Sequence, residues 1–163
     1  MRQIIQIALF ASFCIFLPSY QVERFPDLSV KELLKLEEET FEAVNKYRKK
    51  KGLSELKTNS ILQEIAREHS MKMAQGVRAL GHRGWDERAD LIFDKLEVGM
   101  LAENIGFNQG RDEPAAFVLK GWIGSNQHRD NIKGEDFDIT GIGVGKSSDG
   151  AYYFTQIFAA YLD

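Results

Sequence analysis

The end of the chain constrains the fold most, because it holds two apolar runs that predict adjacent strands. The runs cover residues 139–145 and 152–159, and Ser147-Ser148-Asp149-Gly150 between them has the composition of a turn that joins antiparallel strands. Amphipathic runs with helical spacing precede this hairpin, without an internal repeat or a low-complexity tract. Helices first and a hairpin last predict a single α+β domain whose helices cover one sheet.

Length and charge narrow the class of protein further. The 163 residues are 44% apolar and 28% charged, which suits one globular domain with its own core. The net charge of −3 argues against a nucleic acid partner. We expect a monomer.

The amino terminus has the order of a secretory signal. Arg2 precedes an apolar run over residues 4–17, and Pro18-Ser19 closes it, so residues 1–20 are predicted to be a cleaved signal peptide and residues 21–35 a leader with the start of the first helix. An uncleaved anchor is the alternative, although a span takes about 20 residues. The mature protein is then expected to be secreted or to lie on the cell-envelope surface, without a transmembrane span.

The single cysteine, Cys14, lies inside that run. A lipoprotein would have small residues before it and polar ones after, whereas Phe13 precedes it and residues 15–17 are bulky and apolar. Lipidation is therefore the minor alternative. Once the signal is removed, no cysteine is left for a disulfide.

Capping residues and the spacing of apolar residues predict the helices and the strand between the amino terminus and the hairpin. A first helix is predicted from Ser29, whose spacing to Glu32 is that of a capping box, to a basic carboxyl end at residues 48–51 that we expect to be solvated. A second is predicted over residues 60–75, capped by Thr58 or Asn59, with His69 as a hydrogen-bonded core residue rather than a ligand. A short helix over 86–96, a strand over 100–107 and a helix from Pro114 follow.

Three polar residues from different segments form the candidate site: His82, Glu103 and His128. Glu103 lies between apolar neighbours, where an acid is costly to bury unless a cation, a metal or a set of donors receives it. Two imidazoles and a carboxylate can hold a divalent ion such as Zn²⁺ with one position open. They can equally hold each other by charge-assisted hydrogen bonds without a metal. The residues leave both interpretations open.

Two further stretches are predicted to be structural. Gly141 and Gly143 could begin a dinucleotide-binding G-x-G-x-x-G loop, but Lys146 occupies the position of its third glycine. Gly141, Gly143 and Gly145 therefore indicate close packing of a strand. In residues 122–132, Trp122 is predicted to be core, while Ser125, Arg129 and Asn131 are expected to cap and brace a helix end. His128 alone stays a site candidate there.

Seven motifs in one order resemble the CAP superfamily of cysteine-rich secretory proteins, antigen 5 and plant pathogenesis-related protein 1, in its cysteine-poor bacterial branch. They are Asn45-x-x-Arg48; Leu62-x-x-x-Ala66-Arg67-x-His69-Ser70-x-x-Met73-Ala74; Gly81-His82; Ala102-Glu103-Asn104-Ile105; Trp122-x-x-Ser125-x-x-His128-Arg129-x-Asn131-Ile132; Gly141-Ile-Gly143-Val-Gly145; and Tyr153-x-x-Gln156-x-Phe158-Ala159.

The resemblance implies a three-layer αβα sandwich over residues 36–163, secretion, and a cleft with two histidines and two acids that holds zinc in some members. His82 matches the first histidine and Glu103 the acid of the G-E-N motif, with Ala102 in place of its glycine. Ser125 stands where eukaryotic members have the second acid. Their later histidine has no counterpart near Phe137, and His128 belongs to the bacterial pattern.

The missing acid decides the expected function. A carboxylate that activates water beside metal-bound imidazoles would give a metal-dependent, peptidase-like hydrolase, and the loss of one acid removes a candidate base. The resemblance implies a binding module for a lipid, a sterol or a host partner protein. We therefore expect a non-catalytic binding protein, with a metal-dependent hydrolase and a chiefly structural surface domain as the alternatives. His82, Glu103 and His128 are the candidate residues for binding or for hydrolysis.

Overall fold

The computed structural model describes residues 27–162; the predicted signal peptide, Cys14 and most of the leader lie outside the described residues. The elements in chain order are α1 (Asp27–Lys50), β1 (Lys57–Thr58), α2 (Ser60–Ala74), α3 (Trp85–Phe93), β2 (Val98–Asn108), α4 (Pro114–Gly124), α5 (Asn126–Lys133), β3 (Ile139–Lys146) and β4 (Tyr152–Tyr161). Residues 27–35 share one helix with the start of the predicted domain.

The strands form a four-stranded sheet in the order β1-β3-β4-β2. The predicted β3–β4 hairpin is confirmed, and β2 adds antiparallel to the other side of β4, from Val98 opposite Tyr161 to Asn108 opposite Tyr152. Strand β1 pairs parallel with β3 through two residues, which is too short to leave an alternating pattern in the sequence. Within the described chain, β2 and the small β1 are the edges of the sheet.

Helices cover both faces of the sheet, which confirms the three-layer αβα sandwich. On one face α1, α4 and α5 enclose a core of Leu36, Val44, Leu56, Ala115, Val118, Trp122, Ile132, Phe137, Val144, Phe154, Phe158 and Ala160. On the other, α2 and α3 enclose Leu62, Ile65, Ala66, Ile92, Val98, Ile139, Ile157 and Ala159. Alternate residues of the strands supply the two cores.

The glycines of β3 let α2 lie directly against the strand, as predicted. A Cβ added at Gly141, Gly143 or Gly145 would come closer than 3.0 Å to backbone atoms of α2. Ser70 of α2 also donates a 2.9 Å hydrogen bond to Gly143 O. The contact is backbone against backbone, so a neighbouring side chain cannot rotate away to make room for a methyl group.

Most predicted elements are confirmed with shifted ends. Helix α1 begins at Asp27, two residues before Ser29, and α3 covers 85–93 instead of 86–96. Asn59 caps α2 as predicted, because its side-chain oxygen accepts from the amides of Ile61 and Leu62.

The prediction that residues 48–51 form a solvated basic cluster is wrong for Arg48. Its side chain is fully buried and donates to the carbonyl oxygens of Ser54, Ile132 and Gly134 at 2.8 Å each. Arg48 therefore joins the end of α1 to the end of α5, and only the lysines that follow are exposed.

The prediction that Ser125 caps a helix end is wrong, and the separate helix α5 was not predicted. Ser125 adopts an extended conformation after α4, and Asn126 then begins the separate helix α5. Arg129 does brace this corner, through hydrogen bonds to Ile123 O and Asn126 Oδ1, whereas the Ser125 side chain makes no capping bond. Trp122 is core, as predicted, and donates from Nε1 to Ile105 O at 2.8 Å.

Replacing Gly143 by alanine tests the contact between β3 and α2. We expect Gly143→Ala to lower the free energy of unfolding by about 3 kcal/mol, the upper end for overpacked cores, because the new methyl group overlaps the backbone at Ala66 and Arg67. The matched control is Gly121→Ala in α4, where nothing lies within 4 Å and alanine should stabilise the helix by up to about 1 kcal/mol. Urea unfolding measures the free energy of unfolding of both variants. Equal changes would contradict the close contact between β3 and α2.

Candidate functional site

The candidate site lies at the free edge of β2, where the two helical layers meet. Glu103 is on β2, His82 is on the segment before α3, and His128 is on α5. Gly81 and Gly84 flank the His82 segment with φ of +134° and +78°, backbone conformations that favour glycine. These glycines bring the imidazole of His82 within 2.9 Å of Glu103, from Nδ1 to Oε1.

Arg88 of α3 binds the buried carboxylate of Glu103 as a fork. Arg88 Nε donates to Oε2 at 2.9 Å and Nη2 donates to Oε1 at 2.8 Å, and the Glu103 side chain is 2% exposed. Both carboxylate oxygens therefore accept hydrogen bonds, Oε1 also from His82. Such two-pronged pairs are the strong, geometrically specific form of an ion pair.

His69 of α2 accepts a hydrogen bond from the guanidinium of Arg88. Its Nε2 lies 2.9 Å from Gly81 O and must donate there, so its Nδ1 accepts from Arg88 Nη1 at 3.2 Å. Burial, followed by the charge of Arg88, holds the pKa of His69 below 6.5. The prediction that His69 is a hydrogen-bonded core residue is confirmed, and it fixes both Arg88 and the segment that carries His82.

His128 lies beside His82, and among residues 27–162 its imidazole makes no hydrogen bond to Glu103. The two imidazole rings lie with centroids 6.2 Å apart and planes tilted by 39°. Burial, and to a lesser degree the charge of His82, lowers the pKa of His128. The backbone carbonyl of His128 accepts from Asn104 Nδ2 at 3.0 Å, which ties α5 to β2.

Side chains of α4 and α5 donate hydrogen bonds to backbone carbonyl oxygens of β2. Asn131 Nδ2 donates to Glu103 O at 3.3 Å and to Asn104 Oδ1 at 2.9 Å, and the Trp122 indole occupies Ile105 O. These bonds place Asn131 beside the candidate site, in the bracing role that the sequence predicted. They also leave these two carbonyls of the edge strand unavailable to another strand.

A cavity of about 250 Å³ opens beside this cluster, and we call it the edge cleft. Its lining comprises His82, Trp85, Ala102, Glu103, Gln127 and Asn131, with His128 adjacent through its contact with His82. The sequence did not single out Arg88, Trp85 or Gln127 for the site. The burial predicted for Glu103 called for a cation, a metal or a set of donors, and nothing in the pattern pointed to Arg88.

The side chains do not fit a zinc ion as they are arranged. Zinc takes thiolate, imidazole or carboxylate ligands at about 2 Å, yet both oxygens of Glu103 are engaged by Arg88 and His82. Among residues 27–162, no group of three or more His, Cys, Asp and Glu side chains could hold a metal ion. Zinc binding by His82, His128 and Glu103 stays a prediction.

The fold is thus an αβα sandwich with a cleft lined by His82 and Glu103 at one edge of its mixed sheet. The profile of the Cysteine-rich secretory protein family (CAP) matches residues 41–158, so the chain belongs to the CAP family. The resemblance drawn from the sequence motifs is confirmed.

Individual relatives extend this result. The uncharacterized membrane protein YlbC of Bacillus subtilis (strain 168) is 30% identical over 127 residues, which cover 75% of this chain, and the match spans only 34% of the length of YlbC. An outer surface protein of Borrelia burgdorferi shares the fold, with a TM-score of 0.67, 19% identity, and coverage of 78% of this chain and 94% of that one.

A third relative is an extracellular protein with an SCP domain from Bacillus anthracis str. Ames, with a TM-score of 0.63 and 25% identity, over 83% of this chain and 43% of that protein. The structural relatives are thus extracellular or surface proteins. In the described part of this chain, no helix is long and apolar enough to cross a membrane.

Neutralising Glu103 should destabilise the fold strongly. Glu103→Gln leaves the guanidinium of Arg88, which is 12% exposed, without its counter-charge, and breaking such a buried pair costs about 3–5 kcal/mol. The matched control is Glu97→Gln at an exposed position just before β2, expected to change stability by less than about 0.5 kcal/mol. Urea unfolding compares the two, and similar midpoints would show that the pair does not support the fold.

Acid should weaken the fold through His69. Its folded-state pKa lies below the unfolded value of about 6.5, so the unfolded chain binds more protons and stability falls as the pH drops below 6.5. We expect a smaller loss of stability between pH 7.5 and 5.5 in His69→Gln than in the wild type. Imidazole NMR should show the Nε2–H tautomer for His69, and titration at or above pH 6.5 would contradict this.

Proposed function

We propose that the chain is a secreted or surface-exposed binding module of the CAP family and that it does not act as an enzyme. The state of Glu103 carries the proposal. A general base must reach the proton that it takes from the substrate or from water. The Glu103 side chain is 2% exposed, and Arg88 and His82 hold its carboxylate from within the protein. The extracellular and surface relatives, together with the signal predicted at residues 1–20, support the location.

The lipid or sterol form of this binding function is supported by a groove between α1 and α4. It measures about 620 Å³, within the ~300–1,000 Å³ typical of small-molecule sites. Leu36, Pro114 and Ala115 are among its apolar lining residues, and Glu32, Glu39 and Glu113 are among its charged ones. An acyl chain or a sterol ring could lie on the apolar part with its polar end among the charges. A host partner protein remains the other predicted class of ligand.

Filling this α1–α4 groove should abolish lipid binding without unfolding the protein. Ala116 is exposed and lines the groove, so Ala116→Trp puts an indole where the lipid would lie. The control is Ala79→Trp, at an exposed position outside the groove. We expect lipid extraction and mass spectrometry to find a co-purifying or transferable lipid in the wild type and the control but not in Ala116→Trp. Equal lipid in all three would contradict binding in this groove.

The hydrolase alternative requires the Glu103 carboxylate to act as a general base. Incubation with a peptide library should give no cleavage above buffer in the wild type, because the Glu103 carboxylate that lines the edge cleft is paired with Arg88. Cleavage by the wild type that survives in Glu97→Gln but is lost in Glu103→Gln, with Glu103→Gln still folded at the assay temperature, would overturn the binding-module proposal.

A further inference from the structure

We propose that the edge cleft binds one neutral sugar residue of a glycan. The assignment rests on the proposed function, because it treats the cleft as a binding site and not as an active site. It names the class of ligand from the unused hydrogen-bonding groups, the aromatic ring and the charge balance of the lining.

Three lining groups have hydrogen-bonding capacity left. His82 uses Nδ1 toward Glu103, which leaves Nε2, and Asn131 uses its amide nitrogen toward β2, which leaves Oδ1. The exposed Gln127 side chain makes no hydrogen bond within residues 27–162 and offers both a donor and an acceptor. Together they match hydroxyl groups, each of which donates and accepts.

Trp85 supplies the apolar surface that a sugar ring also needs. The indole lines the cleft, is half-buried, and has the guanidinium of Arg88 5.8 Å from its ring centroid. Arg88 covers one face of the indole and the ring also packs against the core under α2 and α3, so a pyranose would set its face of C–H groups against the part of the ring that lines the cleft, with its hydroxyls toward the surrounding amides. The cavity of about 250 Å³ is below the ~300–1,000 Å³ of drug-sized sites and suits one ring.

Charge argues for a neutral ligand. An anion would need free cationic donors, but Arg88 spends its guanidinium on Glu103, His69 and the carbonyl oxygens of Arg83 and Gly84. A cation would need a free carboxylate, and that of Glu103 is paired. Arg88 and Glu103 thus neutralise each other, and bringing a further charge against this pair would cost desolvation without a partner.

Two other classes of ligand are disfavoured by the same contacts. A peptide added as a strand would need the outward carbonyls of β2, which Asn131 and Trp122 already occupy at Glu103 and Ile105. An acyl chain would need an apolar lining, and Trp85 and Ala102 are the apolar members among the six residues that line the cleft.

The two tryptophans of the chain make the test direct, since Trp85 lines the cleft and Trp122 is buried and bonded to Ile105. Proton–nitrogen correlation spectra of the full chain give one indole signal for each. The probes are neutral methyl glycosides of hexoses and N-acetylhexosamines with their linear tetramers, and glucuronate and glucose 6-phosphate as charged counterparts. We expect at least one neutral probe to shift the Trp85 signal saturably while the Trp122 signal stays in place.

Gln127→Ala should weaken this binding about tenfold, the effect of one lost hydrogen bond. Gln109→Ala, another exposed glutamine at the far end of β2, should bind as the wild type does. A Trp85 signal that no neutral probe shifts, or that only charged probes shift, would overturn the sugar assignment and leave the binding-module proposal standing. Release of a hydrolysed product from a glycoside would instead overturn the proposed function itself.

Discussion

The backbone contact between α2 and β3 is the constraint on which the rest of the structure depends. Three glycines on alternate positions of β3 allow the helix to lie against the strand without side chains between them. That position brings His69 to Gly81 and Arg88, and Arg88 in turn reaches Glu103. The position of Glu103 and Arg88 in the candidate site therefore depends, through His69, on how closely α2 packs against β3.

Polar side chains also close the edges of the sheet, where unpaired backbone groups would otherwise invite another strand. Strand β1 pairs with β3 only at residues 139 and 140. Further along β3, the buried carboxylate of Glu37 in α1 accepts from Val144 N and from Arg67 of α2, so it joins the two helical layers. At β2, Asn131 and Trp122 take the same role. Much of the sequence signature of the family thus stabilises the sandwich, and the edge cleft occupies the opening left between the layers.

The sequence predicts the elements with regular spacing and misses what depends on tertiary contacts. Helix α2, the β3–β4 hairpin and the core position of His69 follow from local pattern alone, and the pattern narrows the cap of α2 to Thr58 or Asn59. Strand β1 is too short for a pattern, and burial of Arg48 is invisible because three lysines follow it. The sequence signals that Glu103 needs a partner, since an acid between apolar residues does. The identity of that partner depends on how α3 lies against β2.

The central claim is that Glu103 holds the fold together through Arg88 instead of serving as a catalytic base. A double-mutant cycle with Arg88→Gln and Glu103→Gln, read by urea unfolding, measures the interaction between the two side chains directly. For a buried fork of this geometry we expect a coupling free energy of about 2–3 kcal/mol. A coupling within about 0.5 kcal/mol of zero would mean that the two residues act independently. It would contradict the central claim and make Glu103 a candidate catalytic base again.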